Sequence, residues 1–380
     1  MIDSFLRHTF GGGTDTVSAP VFYPRGLLPT SSSILELSVI VPILNEAGTL
    51  PSLLQMLAAQ RQIAFELILS DGGSNDASLT MVRKLVGELP YPLQLLQGPR
   101  GRARQLNFGA RAARAPSLLF LHVDSAWDDP LALRCAVDHL RGHTQPVAGH
   151  FPLRFDLGTP SCAYLYYSCK AQLGRPGSIH GDQGMLLSSS FFDELGGFEE
   201  SRSVLEDTFF AEHLRERGKW ILLDAPLTTS ARRFAEEGLL PRQLLNALIM
   251  NFAHIGWDDF FVHAAGVYRP QHESGQLKLS PFFELIASLL AQMPKARQRQ
   301  LWHETGRYVV GQGWQLALWW DVRRLWRRGS QPETLETTTL DWFEAYLTPL
   351  LVRPTMVRMT EALVRLWFAL SRRWLRWRRG

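Results

Sequence analysis

Apolar and polar positions follow two alternating rhythms along the first part of the chain. Leu37-Ser38-Val39-Ile40-Val41-Pro42 is a short β-branched run closed by proline, and after Asn45-Glu46 the stretch from Thr49 to Ala59 is apolar at helical spacing. The unit then repeats: Phe65 to Ser70 predicts a strand, Asp71-Gly72-Gly73-Ser74-Asn75-Asp76 a polar turn, and Ala77 to Leu89 a helix. A third strand is predicted over Leu93 to Gln97, a helix over Arg102 to Arg114, and a fourth, fully apolar strand over Ser117 to His122. Strands that alternate with helices join through right-handed crossovers, so the pattern predicts an α/β fold with a mostly parallel sheet flanked by helices.

In such a sheet the ligand crevice lies beyond the carboxyl ends of the strands. The residues there are polar: Asn45 and Glu46 after the first strand, Asp71 and Asp76 after the second, His122, Asp124 and Ser125 after the fourth. Like charges gathered at one edge repel unless a cation or a donor-rich ligand joins them. A cationic or hydrogen-bond-donating ligand is therefore expected at that edge.

Beyond Gln271 only periodicity is legible. Ser280 to Met293 and Leu301 to Arg328 have helical spacing, and Pro332 and Pro349 punctuate the residues after Arg328. The last segment sets Met356, Met359, Leu363, Leu366, Leu370, Trp374 and Trp377 three or four apart, with Arg358, Arg365, Arg372, Arg376 and Arg379 around the rest of the helix. That composition suits an anionic membrane surface; the alternatives are a stripe packed on the α/β region or on a second copy in a homo-oligomer. The expected organisation is a flexible N-terminal segment over 1–35, an α/β domain over 36–270 and a helical, basic, Trp-rich region over 271–380.

Composition narrows the classes. A chain of 380 residues that is 46% hydrophobic can bury a large core, and a net charge of +4 with 20% charged residues does not argue for nucleic acid as a partner. Cys135, Cys162 and Cys169 lack CxxC spacing, which disfavours a disulfide framework or a structural zinc. The segment Met1 to Ser33 has no apolar core of signal-peptide length, and the best candidate for a span, Trp314 to Trp320, falls far short of the roughly 20 residues of a spanning helix. A cytoplasmic location, with peripheral contact to the membrane face, is the expectation.

Val39 to Glu46, Ser70 to Asp76 and Leu121-His122-Val123-Asp124-Ser125 resemble the opening motifs of family-2 inverting glycosyltransferases of GT-A fold. Gly181-Asp182-Gln183-Gly184, Leu195-Gly196-Gly197-Phe198, Leu205-Glu206-Asp207 and Thr229 to Phe234 resemble one bacterial subgroup of that family, associated with radical-SAM and selenium-domain genes. The likeness runs from about Leu37 to Arg269. It implies a UDP- or GDP-linked sugar donor and a small-molecule or lipid-linked acceptor. It also implies that Pro42, Asn45, Glu46, Asp71 and Gly72 bracket the nucleoside, and that Gly101, Arg102, Gln105 and Asn107 lie along the ribose and diphosphate. Gly101 before a helix start suits an anion.

The resemblance places a metal motif at His122-x-Asp124, where Asp124 would ligate Mg2+ or Mn2+ and His122, standing where the family has aspartate, is a weaker ligand or a neighbour. Asp207 is the implied base for the attacking hydroxyl, Glu206 its acidic partner and Asp182 the alternative; helix-dipole complementation is the purely structural reading of the pair. In place of the Gln-x-x-Arg-Trp of polymer-forming members stands Thr229-Ser230-Ala231-Arg232-Arg233-Phe234, which argues for a non-processive enzyme and leaves Arg232 or Arg233 as a candidate contact to the diphosphate or an acceptor phosphate. The competing functions are a catalytically silent scaffold at a membrane, suggested by His122, and a sugar nucleotidyltransferase.

Overall fold

The computed structural model describes residues 21–22, 34–156, 160–202, 204–273 and 277–377. The expected flexible segment 1–35 therefore lies almost wholly outside the described residues. Two compact units emerge, Met1–Gly158 with Lys170–Ser230, and Thr159–Cys169 with Ala231–Gly380. The helices that follow Ala231 thus belong with the C-terminal helices rather than with the sheet.

In the first unit, β1 (Val21–Phe22), β2 (Leu37–Ile43), α1 (Leu50–Ala58), β3 (Phe65–Asp71), α2 (Ser78–Leu85), β4 (Leu93–Gln97), α3 (Arg102–Ala112), β5 (Ser117–Phe120) and α4 (Ala132–Arg141) follow in that order. Then come β6 (Val147–His150), β7 (Leu153–Asp156), the tail of α5 (Cys162–Gln172), β8 (Met185–Ser188), α6 (Ser189–Glu194), α7 (Glu206–Arg217), β9 (Lys219–Leu222) and β10 (Leu227–Ser230). The main sheet has the order β1-β4-β3-β2-β5-β8-β6-β9, with β7 and β10 forming a parallel pair apart from it. Strands β4, β3, β2 and β5 are parallel, while β8 runs antiparallel between β5 and β6. The expected α/β sheet with helices on its faces is what forms.

The parallel strands read as continuous apolar runs because both faces are covered. Val39, Val41, Leu67 and Leu69 pack against Leu50, Leu53 and Leu57 of α1, whereas Ile40 and Ile68 turn to the other face, to Leu106 of α3 and the cluster of Phe120, Phe192, Phe198 and Phe210. One charge is sunk into this layer. Glu66 is fully buried on β3, and Ser38 (2.7 Å), Gln94 (2.8 Å) and the Arg114 side chain (2.6 Å) all donate to it.

The second unit is helical: α8 (Arg232–Glu237), α9 (Leu239–His254), α10 (Asp258–Glu273), α11 (Ser280–Gln292), α12 (Lys295–Gly311), α13 (Trp314–Arg327), α14 (Thr338–Trp342), α15 (Thr348–Leu351) and α16 (Pro354–Trp377). The single helix expected over Leu301 to Arg328 is two, parted around Gly311-Gln312-Gly313, where glycine weakens the helix on both sides. Asp321 caps the next element, accepting from the backbone N–H of Thr339 (3.0 Å) and Leu340 (2.8 Å). No helix among the described residues is long and apolar enough to cross a membrane. The three cysteines are free.

Candidate active site

The loops after β2 and β3 are laced to each other at the carboxyl edge of the sheet. Asn45 N–H donates to Ser74 Oγ (2.9 Å), Asn75 N–H to Asn45 Oδ1 (2.9 Å), Glu46 N–H to Ser78 Oγ (2.8 Å) and Ala47 N–H to Asp76 Oδ2 (3.1 Å). Asn45 is left-handed at φ 58°, a conformation its short amide tolerates. Glu46 accepts from the Thr49 hydroxyl at 3.1 Å, and Pro42 stands opposite Ser70 in the ladder. Asp71 lies beneath, fully buried, and its carboxylate accepts the backbone N–H groups of Gly73 (3.1 Å) and Ser74 (3.1 Å). It shapes its own turn instead of standing open toward a base.

Gln105 and Asn107, expected along the diphosphate, serve the fold. Gln105 Nε2 donates to the strand-end carbonyls of Ile43 (2.9 Å) and Ser70 (2.7 Å), and its amide fills the space over buried Gly72, where a Cβ would come within 2.8 Å of Oε1. Asn107 Oδ1 accepts from Phe198 N–H (2.9 Å) while Nδ2 donates to Phe198 O (2.8 Å) and Glu200 (2.9 Å), fixing the Gly196-Gly197-Phe198 turn. Helical spacing put these residues on α3; the strand ends facing Gln105 and the turn facing Asn107 decided what they touch.

Arg102 has a different fate. It opens α3 after Gly101, whose φ of 133° suits only glycine, and it is 8% exposed. Its Nη2 donates to His122 Nε2, its Nε lies 3.3 Å from Glu206 Oε1 and its Nη1 3.9 Å from Asp207 Oδ2. These partners come from distant segments for a topological reason. Strand β8 runs against β5 with Met185 opposite Phe120, so the Gly181–Gly184 turn that precedes β8 arrives beside the His122–Asp124 turn that follows β5.

Gly181 is where they meet. Its N–H donates to Asp207 Oδ2 at 2.8 Å, and a Cβ on it would stand 2.6 Å from Arg102 Nη2, 2.7 Å from Asp207 Oδ2 and 2.9 Å from His122 Nε2. Only a residue without a side chain lets the backbone pass between a guanidinium, an imidazole and a carboxylate. The acidic pair Glu206-Asp207 occupies the first turn of α7 behind Leu205, which is held left-handed at φ 57°. A buried leucine in that region is strained, the kind of cost tolerated where side chains must be aimed.

Burial sets the protonation pattern. Glu206 is pushed up to about 7, by burial and then by Asp207, against the pull of Arg102. For Asp207 burial again pushes upward, but Arg102, His180 and the Gly181 N–H outweigh it and hold the carboxylate below its ordinary range. Asp182 is raised by burial and by the charges of Asp207 and Asp124, and its Oδ1 makes no hydrogen bond. Two further groups complete the cluster. Burial lowers Lys170 to about 8 against the opposing charge of Asp182, and lowers His180 to about 3, helped by Lys170. His180 Nδ1 meets Thr208 Oγ1 at 2.8 Å, and Thr208 N–H donates to Asp207 at 2.7 Å. Lys170 sits in a helix without a motif, so nothing in the sequence pointed to it.

As a metal centre the edge offers little protein ligation. Among the described residues no three His, Cys, Asp or Glu side chains are grouped to hold an ion. The lone pair of His122 Nε2 is taken by Arg102, and burial together with that guanidinium keeps the ring well below its ordinary pKa. Asp124, half-buried after β5, supplies one hard oxygen donor, which fits Mg2+ or Mn2+ completed by substrate phosphates. Arg232 begins α8 in the second unit, and its side chain lies outside the described residues.

Residues 38–161 match the family model described as Glycosyl transferase family 2. A dolichyl-phosphate β-glucosyltransferase of Drosophila melanogaster is 34% identical over 111 residues, 26% of this chain and 34% of that protein. A dodecaprenyl-phosphate galacturonate synthase of Rhizobium johnstonii is 40% identical over 82 residues, 21% of this chain and 22% of that protein. The chain thus spans about a third or less of the length of these relatives. Among solved structures, a mannosyltransferase from Pyrobaculum calidifontis in complex with GDP-Man and Mn2+ aligns over 91% of each chain at 18% identity, with a TM-score of 0.46. Over residues 38–161, about a third of its length, the chain is thus similar to the glycosyltransferases of family 2.

Proposed function

We propose that this protein is an inverting, non-processive glycosyltransferase that moves a sugar from a UDP- or GDP-linked donor to a hydroxyl of a small or lipid-linked acceptor. The observation that carries the reading is the convergence of Arg102, His122, Asp182, Glu206 and Asp207 around Gly181 at the carboxyl edge of a family-2 sheet. The names of the two relatives, one with a dolichyl phosphate and one with a dodecaprenyl phosphate, support the lipid-linked end of that range, where a phosphate oxygen would attack in place of the hydroxyl and need no base.

In the reaction the acceptor oxygen bonds the anomeric carbon while the bond from that carbon to the diphosphate oxygen breaks, and the hydroxyl proton needs an acceptor. Asp182 meets that need better than Asp207. Its Oδ1 is unengaged and its pKa is raised, whereas Asp207 holds both oxygens in hydrogen bonds to Gly181 and Thr208 and sits low. Asp207 would then keep Arg102 and the Gly181 turn in place. Asp124 would hold a Mg2+ or Mn2+ ion, whose chemistry is to offset charge on the departing diphosphate. His122, engaged by Arg102, would stay a neighbour.

A sugar-nucleotide panel tests this. Binding of one donor, strengthened by Mn2+ and weakened in Asp124→Ala, is expected, with transfer lowered 10²–10⁴-fold in Asp182→Asn at unchanged donor affinity. A protein that binds no sugar nucleotide, or that releases pyrophosphate, would end the proposal.

A further inference from the structure

Helix α16 carries two apolar faces, one packed on neighbouring helices and one largely exposed. Val357 and Phe368 are buried, the latter stacked on Phe283 of α11 (ring centroids 5.3 Å apart) and tilted against Trp302 of α12 (5.7 Å). Met359, Leu363, Leu366, Leu370, Trp374 and Trp377 lie on the side turned away from that packing and are 49–78% exposed. At 1.5 Å per residue this stripe is about 27 Å long.

The charges around it are one-sided. Arg372 and Arg376 are committed to Glu284 of α11 at 2.7 and 2.6 Å, and this pair of guanidiniums pulls the Glu284 carboxyl down to about 2. They pin the helix to its unit. Arg358 and Arg373 are exposed on one flank of the apolar stripe with no ion pair among the described residues, and Glu361 is the helix's single acidic residue, turned to the packed side where it meets Arg365 (3.4 Å) and His303 (3.5 Å).

We propose that this face of α16 docks the second unit on an anionic lipid bilayer, lying flat in the interface. The helix is anchored behind by Phe368 and the Glu284 ion pairs, so the stripe is presented rigidly. Leucines enter the acyl boundary, Trp374 and Trp377 sit at the headgroup level, and Arg358 and Arg373 meet lipid phosphates. A second copy of the chain fits less well, because a self-complementary face would set unpaired arginines against arginines. The inference is independent of the catalytic reading.

The test is sedimentation of the full chain with vesicles of phosphatidylcholine alone and with about 30% phosphatidylglycerol, the anionic component the arginines require. Binding is expected on the anionic vesicles with a blue shift of tryptophan emission. Leu363→Glu with Leu370→Glu should lower partitioning at least tenfold at an unchanged circular dichroism spectrum. Arg358→Glu with Arg373→Glu should lower it about fivefold or more per residue on anionic vesicles only. Trp374→Ser with Trp377→Ser repeats the test should the first pair fail to fold. Absence of binding to either vesicle overturns the proposal. So does a dimer in solution that the same substitutions dissociate, since a second copy would then be the occupant.

Discussion

Replacing Arg102 by methionine removes the positive charge around which the acidic pair is built. The guanidinium is 8% exposed and lies 3.3 Å from Glu206 and 3.9 Å from Asp207, which are 3% and 2% exposed. Removing one partner of a buried ion pair costs about 3–5 kcal/mol, because the remaining charge is left uncompensated. Glu206, already pushed up to about 7, escapes part of that cost by taking a proton, which places the expected loss near the lower bound, about 3 kcal/mol at pH 8. At about 2–4 °C per kcal/mol this is a fall in melting temperature of about 6–12 °C.

The pH dependence follows from the directions. Asp207 is depressed in the fold, so its contribution is present above its ordinary 3.8 and is lost as pH falls through the folded value. Glu206 is raised, so it favours the fold below its ordinary 4.5, and that benefit fades as pH rises toward 7. Without Arg102 both carboxyls bind protons more tightly, and the gap between the two proteins should be widest at pH 8 and narrower at pH 5. Thermal unfolding at these pH values, with exposed Arg104→Met as a control expected within about 0.5 kcal/mol of the parent, reads this directly. A melting temperature within about 2 °C of the parent at pH 8, or a gap that widens on acidification, would refute the reasoning.

Asn107→Ala should cost about 2–3 kcal/mol through the lost bonds to Phe198 and Glu200, yet leave the KM for a donor unchanged; a raised KM with unchanged stability would return Asn107 to the ligand. Gly181→Ala drives a methyl group among Arg102, Asp207 and His122 and is expected to cost about 1–3 kcal/mol and to lower transfer more than about 100-fold, so near-parental turnover would show that the turn can yield. His150 is buried beside Gln183 and lowered to about 4, so the unfolded chain takes up a proton first as pH falls through 6.5, and acid destabilises the fold. His150→Gln should flatten the stability curve between pH 6.5 and 4, and an unaltered slope in urea melts would place the acid sensitivity elsewhere.

The alternation of β-branched runs with helical periods by itself determined the parallel sheet, since strands β2 to β5 must be apolar on both faces to be covered by helices. It also marked the strand ends as the candidate site, because polar residues there have no place in a covered layer. What it left open was direction. Nothing in Gln105 or Asn107 distinguishes an amide that meets a ligand from one that ties Ser70 or Phe198, and Asp71 reads as a binding carboxylate until its own turn is seen to consume it. The antiparallel insertion of β8 beside β5 brings Gly181 against His122. Burial then raises two of three neighbouring carboxyls, while Arg102, His180 and the Gly181 N–H hold the third low against it. Both effects act through space across long stretches of chain, where periodicity carries no information, and so the chemistry of the site was decided by the tertiary structure.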